Sequence, residues 1–356
     1  MRNFIQKIRH HSNTIAFIAG FIWDNLTLNR VDQWLDNLIL TSYIAVSGLG
    51  IIWLSYLAAR PSGGFFATKL TGWLSLAIQF AFGGLFSGYI IFYSQSASFV
   101  AGWPFLFFLV FLFVGNELFR KRYENLTFQL SIFFIVLFSY FTFSAPVFVG
   151  KMGAWVFILS GAISLIVITL IIRFIKRFSR ESFQRSRSAI YMSIAAIYVF
   201  FNLAYFTNII PPIPLSLKEI GVYHQVSRVS GDQYEFKFEP ASWYQPFEKT
   251  SKVFHQQNNE PVYVFSSVFA PTKLTTKIFH HWSYFDKITN QWKKTDTFSY
   301  QIIGGRDGGY RGYSIKKSLS AGKWRVEVMT DRQQLIGRID FEIIKSAPAE
   351  IKTEIR

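Results

Sequence analysis

The chain has 356 residues, of which 51% are hydrophobic, 19% aromatic and only 16% charged, with a formal net charge of +16. A charged share well below the roughly 25% of soluble domains excludes an ordinary soluble globular protein, and the length leaves room for two domains. With no cysteine, disulfides, thiolate metal sites, iron–sulfur clusters and cysteine nucleophiles are all excluded, and the redox compartment is left open.

The charge is distributed unevenly. Residues 1–210 hold six acidic side chains (Asp24, Asp32, Asp36, Glu117, Glu124 and Glu181), and the rest of the chain holds the other fifteen of the 21. The first part therefore reads as a membrane domain and the second as a soluble one. Spanning a bilayer takes roughly 20 apolar residues in a helix. A short run at 14–28, "TIAFIAGFIWDNLTL", comes first and carries Asp24; runs at 37–59, 70–93, 98–119, 126–149, 152–174 and 188–210 follow. With seven spans, one side receives Arg2, Lys7, Arg9, Arg60, Lys69, Arg120, Lys121, Arg122, Arg173, Lys176, Arg177, Arg180, Arg185 and Arg187. The other receives only Arg30 and Lys151 from its short loops. This asymmetry puts the amino terminus in the cytoplasm and the carboxy-terminal domain outside the inner membrane. It also accounts for the positive charge without nucleic acid.

Ionisable groups at bilayer depth are costly and are functional candidates for that reason. Asp24 and Glu117 are the two here, and each also fits an interfacial role, Glu117 through Arg120 or Lys121 one turn on. Gln79, Gln129 and Asn202 read as interhelical hydrogen-bonders. "GLFSG" at 84–88 is a small-x-x-x-small pattern that permits close helix contact.

"NIIPPIPLSL" at 208–217 ends the last span, and 211–218 reads as a proline-rich linker between the domains 1–210 and 219–346, with 347–356 a tail. Beyond it the period changes to two. "YEFKF" (234–238), "PVYVFSSVFAP" (261–271) and "LTTKIFHHWSYF" (274–285) read as strands, the last with Leu274, Thr276, Ile278, His280, Trp282 and Tyr284 on one face. "KWRVEVMT" (323–330) turns Trp324, Val326 and Val328 inward. "LIGRIDFEI" (335–343) does so with Leu335, Ile339, Phe341 and Ile343, and the two form a terminal hairpin. The strand spacing predicts an immunoglobulin-like sandwich.

Between two of these strands lies "IIGGRDGGYRGYSIKK" (302–317). Phosphate-cradling glycine loops depend on a following helix, and here a strand follows on each side. The glycines therefore supply positive φ at turns and a bulge. The second reading of the stretch is a basic surface of Arg306, Arg311 and Lys316 near Tyr310, with Trp282 as a further aromatic contact.

The ordered pieces "PPIPLSL", "YHQVS", "VFSSVFAP", "HHWSYFD", "GGRDGGYRGYSIK", "GKWRVEV" and "IGRIDFEI" resemble the bacterial membrane-protein family known as domain of unknown function 2914. The resemblance covers about 208–344 closely, and the seven-span half is similar in layout to the longer members. One departure is the final turn, "DRQQ", which has no glycine. The resemblance implies an architecture and no mechanism, since the family has no established activity.

Catalytic signatures are thin. Adjacent His280 and His281 point to opposite faces of a strand and do not share a metal. Asp286, Asp296, Asp307 and Asp331 read as turn residues, and no G-x-S-x-G occurs. The expectation is a non-enzymatic, cofactor-free membrane protein whose outer β-domain binds through Arg306, Tyr310, Arg311, Lys316 and Trp282. Its expected partners are the lipid bilayer and an envelope glycan, an anionic headgroup or a protein. The competing expectation is a transporter or lipid-handling protein that uses Asp24 and Glu117.

Overall fold

The computed structural model describes residues 21–356 apart from 23, 29–31, 60–64, 97–101, 119–124, 230, 232, 242–248 and 349. Residues 14–20 and 23 of the expected first span, 14–28, lie outside the described residues; of the rest, Phe21, Ile22 and Asp24–Thr27 are helical. Six longer helices follow: α1 (Trp34–Ala58), α2 (Phe65–Ser96), α3 (Trp103–Leu118), α4 (Leu126–Val149), α5 (Ala154–Phe178) and α6 (Arg180–Phe206). Five of them contain segments long and apolar enough to cross a membrane. The expected span at 98–119 is represented by α3, whose 16 described residues are fewer than the roughly 20 a crossing takes.

The organising helix of this unit is α4, with 78% of its most apolar window buried, more than any other candidate span. Asn125 caps its start by accepting from the amides of Thr127 (2.9 Å) and Phe128 (3.4 Å), which satisfies donors a helix leaves open. Gly150 ends it in the left-handed region at φ 71°, the conformation glycine adopts at no steric cost. Rings fill the interior: Phe138 stacks on Phe201 at 4.6 Å, and Phe157 lies parallel to Tyr205. Hydroxyls tie helices to one another's carbonyls, Tyr89 to Val136 (3.0 Å), Tyr93 to Ser139 (3.1 Å) and Ser160 to Phe141 (2.8 Å).

The small-residue pattern at 84–88 does what its spacing predicts. A Cβ on Gly84 would lie 2.6 Å from the Tyr43 ring and one on Gly88 3.0 Å from Leu40, both of α1, so α1 and α2 approach closely there. Gln79 and Asn116 bond each other's backbone carbonyls at 3.2 and 3.1 Å, joining α2 to α3. Asn202 differs from expectation. Its amide donates to the Tyr198 carbonyl one turn back in its own helix.

The second unit begins at Pro214 and contains β1 (Ser216–Tyr223), β2 (Gln225–Arg228), β3 (Tyr234–Phe238), β4 (Val253–His255), β5 (Val262–Phe269), β6 (Thr275–Asp286), β7 (Gln291–Ile303), β8 (Tyr310–Lys316), β9 (Gly322–Thr330), β10 (Leu335–Ile344) and β11 (Lys352–Ile355). Strand β1 starts inside the stretch expected as linker, and the stretch expected as a tail supplies β11, paired antiparallel to β3.

The described residues form three sheets, in the orders β1-β5-β8, β4-β10-β9-β6-β7 and β11-β3-β2. Alternation along β1 and β5 makes the three-stranded sheet the middle layer. Val222, Val262 and Val264 join the cluster of Trp282, Trp324, Val326, Ile339 and Phe341 from the five-stranded sheet. Their chain neighbours Tyr223 and Phe265 join Val226, Phe236 and Phe238 from the third sheet. Two sheets packed face to face were expected; the extra layer was not, because its strands are only four or five residues long.

Inward residues fall as alternation predicts, with one exception. Trp324, Val326, Val328, Ile339, Phe341 and Ile343 are buried, but a register shift between Leu335 and Gly337 leaves Leu335 half-buried and turns Ile336 in. Asp296, expected in a turn, lies within β7, which starts earlier than the sequence suggests. The glycine-free hairpin turn is made by Gln333 at φ 59°.

Candidate functional site

The 302–317 stretch holds the corner between β7 and β8, and close approach requires glycine at Gly304 and Gly309. A Cβ on Gly304 would sit 1.7 Å from the Pro271 carbonyl oxygen. Gly305 and Gly309 have φ of 100° and 82°. At this fixed corner Arg306 is exposed and its guanidinium lies 5.4 Å from the centroid of the Tyr310 ring, within cation–π range.

The five expected contact residues do not form one surface. Arg311, next to Tyr310 on β8, turns to the opposite face and donates to the Arg356 carbonyl oxygen at 3.0 Å. On that same face Tyr313 is exposed and lies 6.0 and 6.4 Å from the rings of Tyr263 and Tyr234. Lys316 is ion-paired with Asp296, and its ammonium lies 5.5 Å from the Trp324 ring centroid; burial lowers its pKa below the ordinary lysine value. Trp282 requires a correction. It is fully buried in the sandwich core and donates its indole N–H to Ser314 Oγ at 3.0 Å, so it offers no contact area. Alternation had already placed it with Ile278 and His280, and burial follows from that face being the core.

His280 lies beside Trp282 in the same interior. Its Nε2 and Nδ1 each lie 2.8 Å from a serine hydroxyl, Ser266 on β5 and Ser314 on β8, and Tyr300 Oη lies 2.6 Å from Ser266 Oγ. Burial, aided by the nearby charge of His281, pushes the His280 pKa down to about 3, so the imidazole is neutral at pH 7 and both nitrogens are satisfied by hydroxyls. The Ser266–His280 distance is that of a base and its nucleophile, yet Ser266 and His280 have no exposed surface and Ser314 almost none. The network pins the middle sheet to the five-stranded one. Gly312 makes room for it, since a Cβ there would lie 2.4 Å from the Tyr300 ring.

A second polar cluster had no signal in linear spacing. His224 Nε2 lies 3.1 Å from Glu239 and its Nδ1 3.0 Å from Glu260. Glu239 also meets His255 Nδ1 at 2.5 Å and accepts the His255 amide at 2.7 Å. Burial alone would lower the His224 pKa, but bonds to Glu239 and Glu260 outweigh it and raise the value; burial would raise Glu239, but bonds from His224 and from the amide and side chain of His255 hold it below the ordinary carboxylate range. Among the described residues no group of three or more His, Cys, Asp or Glu is arranged to hold a metal ion.

In the helical unit, Asp24 lies in the helical stretch 24–27, within electrostatic reach of Ser87 and Tyr43. Glu117 belongs to α3, and its side chain is outside the described residues.

Five helices able to cross a membrane mark a membrane protein, here one whose carboxy-terminal part is built of sheets. Within that part, residues 275–343 match the model of the family described as Protein of unknown function (DUF2914), the family the sequence resembles. The match runs from β6 to β10, a shorter stretch than the resemblance itself. No curated protein matches the chain. One solved structure, Pseudomonas fluorescens alkylpurine DNA glycosylase AlkC bound to DNA containing an abasic site analog, aligns over 90% of this chain and 99% of its own at 8% identity and a TM-score of 0.21; so low a score carries no argument about fold or activity.

Proposed function

We propose that the protein is a non-enzymatic, seven-span protein of the bacterial inner membrane, with its amino terminus in the cytoplasm. Its immunoglobulin-like outer unit binds a cell-envelope component: a glycan, an anionic headgroup or a partner protein. One observation carries the reading, the exposed Arg306 guanidinium set over Tyr310 on a corner whose positive-φ turns glycines make possible. Arginine and tyrosine are usual anchors of binding surfaces, and a preformed corner loses little freedom when it is bound. The aromatic packing around α4 favours an anchor over a transport pathway.

The test is capture by photo-crosslinking in native membranes from a probe at Tyr310, using the full chain. Arg306→Ala should lose captured material, and Arg311→Ala, on the opposite face of β8, should lose little. Full capture by Arg306→Ala would refute the surface.

A further inference from the structure

We propose that the turn between α5 and α6 is a binding site for the phosphate of an anionic phospholipid headgroup. A cavity of about 660 Å³ opens there, lined among others by Arg173, Phe174, Arg177, Arg180, Phe183 and Arg187. Its geometry follows from the helical period. On α5, Leu170, Arg173, Phe174 and Arg177 stand at i, i+3, i+4 and i+7, and on α6, Arg180, Phe183, Gln184 and Arg187 repeat the same spacing. Each set therefore lies along one helix face, and the two faces line one cavity.

No acidic residue lines it, and among the described residues none of its four arginines has an ion-pair partner. Lys176 completes the rim, its ammonium held 3.1 Å from Tyr191 Oη and 4.7 Å from the centroid of the Phe183 ring.

Two general effects leave this convergence unexplained. Topology depends on how many cations lie on one side of the membrane and is indifferent to whether they face one another. The helix dipole favours Lys176 and Arg177 in the last turn of α5 but disfavours Arg180 at the start of α6. A bound anion between the two helix ends offsets that repulsion and uses the guanidinium fork, which matches phosphate.

The apolar wall identifies the rest of the ligand. Leu170 and Phe174 are 45% and 53% exposed on a helix able to cross the bilayer. They extend from the cations toward the apolar stretch of α5, where an acyl chain would lie. Basic pockets between membrane helices recognise lipid phosphates by this combination.

Native mass spectrometry of the detergent-solubilised full chain, titrated with phosphatidylglycerol, phosphatidylcholine or inorganic pyrophosphate, tests the assignment. The wild type should retain phosphatidylglycerol about tenfold better than phosphatidylcholine. R173Q with R180Q, one arginine from each helix, should abolish that preference. R185Q removes an exposed charge from the same turn outside the cavity lining and should leave the preference unchanged. Phe174→Ser should weaken phosphatidylglycerol and spare pyrophosphate. An equal loss with R185Q would show only diffuse surface charge, and tight pyrophosphate binding without lipid preference would make this a soluble-phosphate site; either overturns the proposal, as does the absence of any preference in the wild type.

Discussion

The two units of this molecule bury polar groups by opposite means. In the helical unit buried hydroxyls and amides go mainly to backbone carbonyls: Tyr89, Tyr93, Ser160, Gln79 and Asn116 all bond main chain on a neighbouring helix, while Tyr140 pairs with the Thr41 hydroxyl and the buried hydroxyls of Ser139 and Ser144 have no hydrogen-bond partner among the described residues. In the strand-rich unit buried polar side chains bond one another, as in the Ser266–His280–Ser314 network and the His224–Glu239–His255 cluster. The difference follows from secondary structure. A helix satisfies its own backbone, so a side chain mostly adds an extra bond to a carbonyl. Stacked sheets instead bring side chains from different strands together in one interior layer. Side-chain networks depend on several partners at once, so the strand-rich unit should be the more easily broken by one substitution and the more sensitive to pH.

The largest effect should come from Trp282→Ala. It empties the largest fully buried site and leaves Ser314 without its indole donor, at a cost of about 3–5 kcal/mol. Hydrogen exchange of β6 and β9 amides in the intact protein should rise sharply while α4 stays protected; equal loosening of both units would end the comparison. In the helical unit the matching experiment is Gly84→Val, which drives a side chain into Tyr43. About 1–3 kcal/mol should be lost, with faster exchange confined to α1 and α2.

Acid should separate the units next. The folded His280 pKa lies below its ordinary value of 6.5, at about 3, so the unfolded chain takes up that proton first. Stability of the strand-rich unit should then fall by up to about 1.4 kcal/mol per pH unit as pH drops from 6.5 toward 3. His224, with a raised pKa, acts in the opposite sense: its contribution is complete below 6.5 and is lost as pH climbs through its folded value. Glu239, held low, contributes above its ordinary 4.5 and loses that as pH falls through its folded value. Denaturant titrations of wild type and His280→Asn across pH 4–7 read the slope, and an unchanged slope in the variant would remove His280 as its source. The smallest effect is a gain. Gln333→Gly relieves a positive φ in the β9–β10 turn and should stabilise it by about 0.5–1 kcal/mol, measured as a higher midpoint in the same titrations.

Much of the architecture was legible because it rests on local periodicity. Apolar run length located the five candidate spans, and alternation placed Trp324, Val326, Val328 and Phe341 in the core. Where a local irregularity intervened, the reading slipped: the bulge at Leu335 exchanged it with Ile336, and a polar stretch hid the first half of β7 and with it Asp296. The candidate site was half legible. Arg306 and Tyr310 meet as expected, but residue type alone could not tell that Lys316 is paired or that Trp282 is sealed inside.

By itself the sequence determined the division of the chain, because greasy runs of bilayer length and period-two alternation are properties of consecutive residues. The corner at 302–317 was equally determined, since glycine is the residue that tolerates positive φ. Only the tertiary structure decided which polar side chains meet. His224, Glu239, His255 and Glu260 come from separate strands and loops, as do Ser266, His280 and Ser314, and the arginines of α5 face those of α6 only because the chain reverses at Ser179. Such encounters depend on strand pairing and helix facing between distant segments, which no spacing along the chain encodes.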